Sequence, residues 1–329
     1  AMDIYASTLS PAVDIGAGCY LLLIAVLSIV GNLLVVIMAF KNSSKMKPPE
    51  LLSVNLAVTD LGAAVTMYPL AVASAWRHHW IGGDATCLYY GLAGFFFGVA
   101  SIMNLTILAI VRFVQSPFLS AGEKIGWKKV KMLCIWIWVY ALIWALFPVL
   151  GWGRYGPEPF GLSCSLAWGE MKQEGFSFVI AMFSFNLVMP SVIIICCYFG
   201  ISMKLYFTYK MSTSNNYRVT SMIAIMISVG FIGCWAPYGM VSLWSIFRDS
   251  STIPPEVSLL PCMFAKSSTV YNPMIYYFFS RRFKREVKHM RRTCLTFNSR
   301  RVSDGTNDNG IYMVTAGINP KITSLMFSV

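Results

Sequence analysis

One lysine, Lys266, lies within the apolar segment Val257–Ser280, in which no other Asp, Glu, Lys or Arg occurs. It is nine residues from the start of the segment, about 14 Å along a helix and close to the midplane of a ~30 Å hydrocarbon layer. An ionisable group there costs at least ~2.5–3.5 kcal/mol and indicates a function, because its stem is too short to reach the interface comfortably. Since burial disfavours the ammonium form, the free amine is a suitable nucleophile for condensation with an aldehyde.

Asp60 is a second charge in the middle of an apolar segment, Leu51–Trp76. A carboxyl group at this depth needs hydrogen-bond partners, so the residue alone predicts a structural, hydrogen-bonded carboxyl group. No spacing typical of a zinc site and no phosphate-binding glycine loop occurs in the chain. We therefore predict no metal centre of those kinds.

The composition shows what kind of protein must position these charges. Hydrophobic residues make up 57% of the 329 residues, charged residues 12%, and the mean hydropathy is +0.62. A soluble domain carries roughly 25% charged residues, so a soluble enzyme is excluded, and the 15% aromatic content excludes a disordered chain. Besides the two segments above, five charge-free segments are long enough to span a bilayer: Ile15–Phe40, Leu88–Val111, Met132–Gly153, Gly175–Met203 and Val219–Phe247.

Segments of this length are helices, because a strand of a membrane β-barrel would have about 10 residues of alternating polarity. The sequence thus predicts an all-α membrane protein, a seven-transmembrane helix bundle over residues 15–280. We interpret the first segment as a retained helix, since it lacks a short apolar region ending in a small-residue cleavage site.

Most of the 26 basic residues lie in the loops after helices one, three and five and in the C-terminal tail. The loops on the other side hold Arg77, Arg154, Lys172 and Arg248. The positive-inside rule then predicts an extracellular N-terminus over residues 1–14 and a cytoplasmic C-terminus. The net charge of +12 reflects this topology and contact with anionic lipid, so no nucleic-acid partner is needed to explain it.

The nine cysteines are too few for a disulfide framework at this length, and most lie within helices as small core residues. Cys87 and Cys164 differ, because one opens the third helix on the outer side and the other lies in the outer loop Trp152–Glu174. Both are in an oxidising compartment, which favours a Cys87–Cys164 disulfide that ties the loop over the mouth of the bundle.

Several short motifs occur in order, each in the expected helix. They are Gly31-Asn32, Asn55-Leu56-Ala57-Val58-Thr59-Asp60, Cys87, Trp138, Pro190, Cys234-Trp235-Ala236-Pro237-Tyr238 and Asn272-Pro273-Met274-Ile275-Tyr276. On these motifs the chain resembles the rhodopsin-type (class A) G-protein-coupled receptors. Lys266, six residues before Asn272, makes it similar to opsins, and most similar to the neuropsin group of non-visual opsins.

The resemblance implies that retinal, in its 11-cis or all-trans form, is joined to Lys266 as a Schiff base. A buried protonated Schiff base needs a carboxylate, and three residues after Cys87, where many visual opsins have one, this chain has Tyr90. Glu158 precedes Cys164 by six residues, the spacing of the alternative opsin counterion, and is the predicted counterion. The resemblance also implies a retinal pocket formed by Tyr90, Gly94, Phe95, Gly98, Trp235 and Tyr238.

One position departs from the neuropsin pattern. Neuropsins commonly have a lysine just before the helix-two proline, whereas this chain has Tyr68 before Pro69. The resemblance to neuropsins therefore does not predict an ultraviolet absorption band for this chain.

On the inner side the resemblance implies two functional groups of residues. A polar cluster, which binds water or sodium, comprises Asn32, Asp60, Ser101 and Asn272, and an activation switch comprises Arg112, Asn272, Pro273 and Tyr276. The family expects an acid before this arginine, but the chain reads Val111-Arg112-Phe113. We expect raised activity in the dark, or an altered or lost signalling output.

The chain after helix seven alternates apolar and basic residues, which predicts a short amphipathic eighth helix on the membrane surface over residues 281–294. Cys294 is a candidate for palmitoylation, with a plain thiol as the alternative. A flexible cytoplasmic tail is predicted over residues 295–329, where Arg300-Arg301-Val302-Ser303 resembles a kinase site with Ser303 as acceptor.

The preferred function is a light-sensing receptor of the plasma membrane that is not an enzyme and activates a heterotrimeric G protein, with arrestin and receptor kinases as further partners implied by the resemblance. The alternative is a retinal photoisomerase of the same fold, which needs Lys266 and the pocket but not the inner switch. A light-driven pump requires relay carboxylates, and Leu88–Val111 has none. A receptor for a diffusible ligand has no reason to keep Lys266.

Overall fold

Helices account for nearly all of the regular structure in the computed structural model, which describes residues 3–116, 124–207, 215–249 and 252–304. They are α1 Pro11–Lys41, α2 Glu50–Trp76, α3 Gly83–Val114, α4 Trp127–Leu146, α5 Phe176–Phe183, α6 Met189–Phe207, α7 Asn215–Phe247, α8 Pro255–Lys266, α9 Ser268–Phe279 and α10 Arg281–Asp304. Helices α5 and α6 are the two parts of the fifth span, and α8 and α9 are those of the seventh. The predicted seven-transmembrane helix bundle is confirmed.

Helix α3 packs at the centre of the bundle, against α2, α4 and α6. Polar side chains link three of these helices: Trp138 Nε1 donates to Asn55 Oδ1 at 2.7 Å, and Asn55 Nδ2 donates to Asn104 Oδ1 at 2.7 Å. Asn104 in turn donates to the carbonyl oxygen of Leu52 at 2.8 Å. Lipid gives helices little hydrophobic reason to associate, so such bonds and close packing hold them together.

The fifth span contains a π-helical turn at Ser184–Val188 between α5 and α6. Pro190 has no N–H to donate to the carbonyl oxygen of Asn186, which interrupts the α-helical bonding there. The side chain of Asn186 is buried and accepts a hydrogen bond from Tyr140 Oη at 2.9 Å.

The regular α-helical hydrogen bonding of the seventh span is interrupted at Ser267, directly after Lys266, although Ser267 keeps right-handed helical dihedrals (φ −64°, ψ −18°). The carbonyl oxygen of Lys266 accepts hydrogen bonds from Tyr68 Oη at 2.8 Å and from Thr269 Oγ1 at 3.0 Å. One turn further on, Pro273 lacks the N–H that would bond the carbonyl oxygen of Thr269. That oxygen is bonded instead by Asn32 Nδ2 at 2.9 Å. The span thus has two positions at which side chains bond backbone carbonyl oxygens, within the one segment that the sequence predicted.

We expect Tyr68→Phe to destabilise the protein by about 1 kcal/mol, because it removes one hydrogen bond to the Lys266 carbonyl while Thr269 keeps the other. The measurement is thermal unfolding of the purified protein in detergent. Tyr89→Phe is the matched control, since the Tyr89 hydroxyl bonds a carbonyl from an exposed position. Equal unfolding temperatures for the two variants would contradict the expectation.

The outer end of the bundle is closed by the loop between α4 and α5 and by the N-terminal segment. In the loop, β1 Tyr155–Pro157 pairs antiparallel with β2 Cys164–Leu166. The predicted disulfide is present and joins Cys87 to Cys164, with the Cα atoms 5.3 Å apart.

The N-terminal segment is held to the α2–α3 turn by backbone bonds. The amide of Trp80 donates to the carbonyl oxygen of Tyr5 at 2.8 Å, and that of Ser7 donates to the carbonyl oxygen of His78 at 3.0 Å. Asp14 is only 1% exposed, and its carboxylate is 2.7 Å from His78 Nδ1. The sequence did not predict this outer cap.

The chain divides into two compact units, Ala1–Lys284 and Arg285–Val329. Helix α10 confirms the predicted eighth helix and continues past residue 294 to Asp304. Cys294 is exposed on it. The side chain of Ser303 and all residues after Asp304 lie outside the described residues, so the predictions for Ser303 and for the rest of the tail remain predictions.

Candidate functional site

Lys266 is the last residue of α8, and its side chain lines a cavity together with residues of the loop between α4 and α5. Long side chains on a helix point back toward its N-terminus, and Nζ accordingly lies 3.1 Å from Sγ of Cys262, one turn earlier. Nζ is also 5.5 Å from the ring centroid of Tyr90 on α3. The amine is therefore held inside the bundle between a thiol and an aromatic face.

A cavity of about 20 Å³, room for one water molecule, lies beside this amine. Helices α1, α2, α3 and α8 and the outer loop line it, and most of the lining side chains are apolar. The lining residues include Cys262 and Met263 of α8, Tyr90 of α3 and Ser163 of the outer loop. Lys266 thus lines a small, mostly apolar cavity.

Glu158 lies in the outer loop, at the turn that joins β1 to β2. Its amide donates to the carbonyl oxygen of Ser163 at 2.8 Å, and its carbonyl oxygen accepts from Gly161 at 2.9 Å. Gly161 has φ +83°, and a Cβ there would meet the carbonyl oxygen of Ala6 at 2.3 Å, so this position requires glycine. The turn directs the Glu158 side chain into the bundle, where the residue is only 9% exposed.

Two hydroxyl groups bond the Glu158 carboxylate. Ser165 Oγ donates to Oε1 at 2.5 Å, and Tyr238 Oη lies 2.8 Å from the same atom. Burial raises the pKa of the Glu158 carboxyl above its ordinary value, while these bonds and the charge of Lys266 act in the opposite direction. Among the described residues, no ion pair within 4.0 Å includes Glu158 or Lys266.

The predicted pocket wall is brought together in part. The rings of Trp235 and Tyr238 are 5.9 Å apart, and a Cβ at Gly98 would lie 3.9 Å from Trp235. A Cβ at Gly94 would instead meet Met67 at 3.0 Å. Phe95 packs against Phe178 at 6.1 Å between ring centroids. Gly98 thus leaves room beside Trp235, whose indole Nε1 is buried without a hydrogen-bond partner among the described residues.

The polar cluster is also brought together in part. Asn272 Nδ2 donates to Asp60 Oδ2 at 3.2 Å, both within the bundle. Asn32 donates to the carbonyl oxygens of Ser28 at 2.8 Å and Thr269 at 2.9 Å. Ser101 is buried on α3. Asp60 and Asn272 are therefore joined directly by a hydrogen bond, whereas Asn32 bonds the backbone carbonyl oxygen of Thr269, three residues before Asn272.

At the inner end of α3, Val111 is 2% exposed and packs in the apolar core. Arg112 follows it, and its Nε is buried with no hydrogen-bond partner within the described ranges. The hydroxyl of Tyr276 on α9 is likewise buried without a partner there. Arg112 and Tyr276 are thus both buried at this end of the bundle, and no acid forms an ion pair with Arg112 in the part of the chain that the structure describes.

Sequence reasoning missed two residues that contact Lys266. Cys262 lies four residues before it, and residues at this spacing share a helix face, so the signal was available. The bond from Tyr68 Oη to the carbonyl oxygen of Lys266 depends on how α2 packs against the seventh span. The sequence singled out Tyr68 only because neuropsins commonly have a lysine at that position.

The chain matches the family described as "7 transmembrane receptor (rhodopsin family)" over residues 31–276. Opsin-5 of Mus musculus is 36% identical over 292 residues, which cover 85% of this chain and 78% of that protein. The visual pigment-like receptor peropsin of Homo sapiens is 33% identical over 279 residues, 82% of each chain. The crystal structure of squid rhodopsin superposes with a TM-score of 0.78 at 26% identity, covering 94% of this chain and 90% of the other.

Proposed function

This chain belongs to the rhodopsin family of seven-transmembrane receptors as a neuropsin-like class A opsin, and from that premise we propose that it senses light with retinal joined to Lys266 as a Schiff base. Light sensing by a multi-pass membrane receptor follows from membership of the opsins. The attachment residue, the counterion and the coupling to G protein are the parts that we propose.

The observation that supports attachment is the setting of the Lys266 amine. It is the one charged side chain of the apolar segment Val257–Ser280, and it lines a small, mostly apolar cavity. The residues fit retinal in their chemistry, since an amine can bind its aldehyde, a buried carboxylate is near, and Gly98 leaves space beside Trp235. Retinal, once bound, supplies a polyene that absorbs light and changes shape. The side chains around the cavity must move apart to admit it, because the cavity now holds about one water.

Glu158 is the proposed counterion. It is buried, it lies on the loop that covers the amine, and its bonds from Ser165 and Tyr238 stabilise a carboxylate there. Its distance from Nζ exceeds that of an ion pair. The role of Ser165 and Tyr238 is then to hold the negative charge in place while it acts on the amine end of the pocket.

We propose a heterotrimeric G protein as the partner on the cytoplasmic side of the plasma membrane, with arrestin and receptor kinases as regulators. Support comes from Arg112, Pro273 and Tyr276, which occupy the positions of the family switch, and from the Asn272–Asp60 bond beside them. Retinal can shift a receptor between two inner-face conformations only through its different interactions with each of them.

A retinal photoisomerase is the second candidate, and one observation favours it. Val111 stands where an acid would bond Arg112. An isomerase needs the amine and the pocket but no restrained inner switch.

Nucleotide exchange on a panel of purified G proteins, measured in dark and light, distinguishes the two candidates. We expect light-dependent exchange over a raised dark background, and Val111→Glu to lower that background while the light response remains, because the carboxylate would bond Arg112. Val111→Gln introduces a side chain of the same size as glutamate but without the charge, so it should lower the dark background less than Val111→Glu does. If no G protein responds while the pigment isomerises and releases retinal catalytically, the isomerase is correct.

A further inference from the structure

Cys262 and Lys266 form a thiol–amine pair within one helix. They lie one turn apart on the same face of α8, with Sγ and Nζ 3.1 Å apart. Both residues line the cavity, and Cys262 is 7% exposed. The pair is therefore enclosed together, at the place where the proposed function requires the amine to react.

The thiol is a polar side-chain group in direct hydrogen-bond contact with this amine. No ion pair there includes Lys266. Glu158 Oε1 is engaged by Ser165 and Tyr238, and Tyr90 approaches the amine with its ring centroid at 5.5 Å and also interacts with it through its hydroxyl group. The position of Nζ is thus set by the sulfur atom more than by a carboxylate.

We propose that Cys262 is a positioning residue that holds the Lys266 amine for its condensation with retinal. This inference rests on the proposed attachment at Lys266. The contact suits both states of the amine, since an ammonium group donates to sulfur and a neutral amine accepts the thiol proton.

The condensation itself consumes no thiol. The amine nitrogen forms a bond to the aldehyde carbon, both protons of the neutral amine pass to the carbonyl oxygen, and that oxygen leaves as water when the C=N bond forms. A lysine side chain has many rotamers, so a contact that confines Nζ to the cavity increases the fraction of time in which it can attack.

The first experiment tests the pair without retinal. o-Phthalaldehyde joins a thiol and an amine that lie in contact into a fluorescent isoindole, with loss of two water molecules. We expect the detergent-solubilised apoprotein to give an isoindole linking Cys262 to Lys266, located by peptide mass spectrometry. Cys262→Ala and Lys266→Ala should lose it. The matched control is Cys234→Ala, which removes a buried cysteine of α7 and should keep it. Absence of the linked peptide in a wild-type preparation that takes up retinal overturns the inference, because a site that opens to admit retinal also admits the smaller dialdehyde.

The second experiment measures how fast retinal is taken up. Cys262→Ala should slow the appearance of the pigment about fivefold, the size expected for one lost hydrogen bond, and should change the pH of half-maximal rate. Cys262→Ser keeps a hydroxyl that can bond the amine, so its rate and pH profile should stay near those of the wild type. A residue that only fills space would leave the pH profile unchanged in every variant.

The outcomes separate this inference from the proposed function. Equal rates and pH profiles for the wild type and Cys262→Ala overturn the role of Cys262 alone, because retinal still binds. An isoindole in the apoprotein with no retinal uptake by the wild type overturns both proposals.

Discussion

Replacing Lys266 with alanine is expected to abolish the absorption band that added retinal gives in the purified wild-type protein. Alanine has no amine to form the covalent bond, and retinal held by apolar contacts alone is removed by washing. The measurement is the absorption spectrum with and without added retinal, recorded after detergent exchange. This single spectrum of the wild type is also the most informative test of the proposed function.

The control for this change is Lys172→Ala. Lys172 lies in the outer loop and donates to the carbonyl oxygen of Arg248 at 3.0 Å from an exposed position, so its loss should leave the band intact. A chromophore band that survives washing in Lys266→Ala would show that retinal is attached elsewhere or is not attached at all.

Glu158→Gln is expected to move the neutral-pH band toward the ultraviolet. A protonated Schiff base at Lys266 is stabilised by a nearby negative charge, which glutamine lacks. Without that charge, the midpoint of the titration between the protonated and neutral linkage should fall by about 1–3 pH units, each unit being worth ~1.4 kcal/mol. The measurement is a spectrophotometric pH titration of the pigment.

Glu170→Gln is the matched control for the counterion. Glu170 lies in the same loop but is exposed and paired with Arg154 at 3.1 Å, so its titration should follow the wild type. If the spectrum and titration curve of Glu158→Gln are unchanged across the accessible pH range, then Glu158 is not the counterion.

The parts of the fold that sequence reasoning predicted are those fixed by hydrophobicity and by charge. The seven spans follow from long stretches without charge, and the seven-helix prediction is confirmed. The Cys87–Cys164 disulfide followed from two cysteines on the oxidising side, and it is present. The buried position of Lys266 could also be predicted from hydrophobicity and charge, because it is the one charged residue in an apolar segment.

The details that escaped prediction depend on backbone groups that sequence patterns do not reveal. The interruption at Ser267 requires a partner for the freed Lys266 carbonyl, and that partner comes from α2. The β hairpin consists of strands of three residues, too short to show an alternating pattern. The bond from the Asn32 amide to the carbonyl oxygen of Thr269 also escaped prediction, because it depends on Pro273 leaving that oxygen without a backbone donor.

The interruption of regular hydrogen bonding at Ser267 also bears on how the seventh span can move. It separates α8, which ends at the amine, from α9, which carries Asn272, Pro273 and Tyr276. Hydrogen exchange of the amides around Ser267, compared in dark and light, would change if the span bends at this residue and would stay constant if the two helices move as one. If the span bends at Ser267, a displacement of the Lys266 side chain at mid-membrane would tilt α9 relative to α8. Asn272 lies on that part of the span, so the displacement would reach Asp60, to which Asn272 donates a hydrogen bond at 3.2 Å.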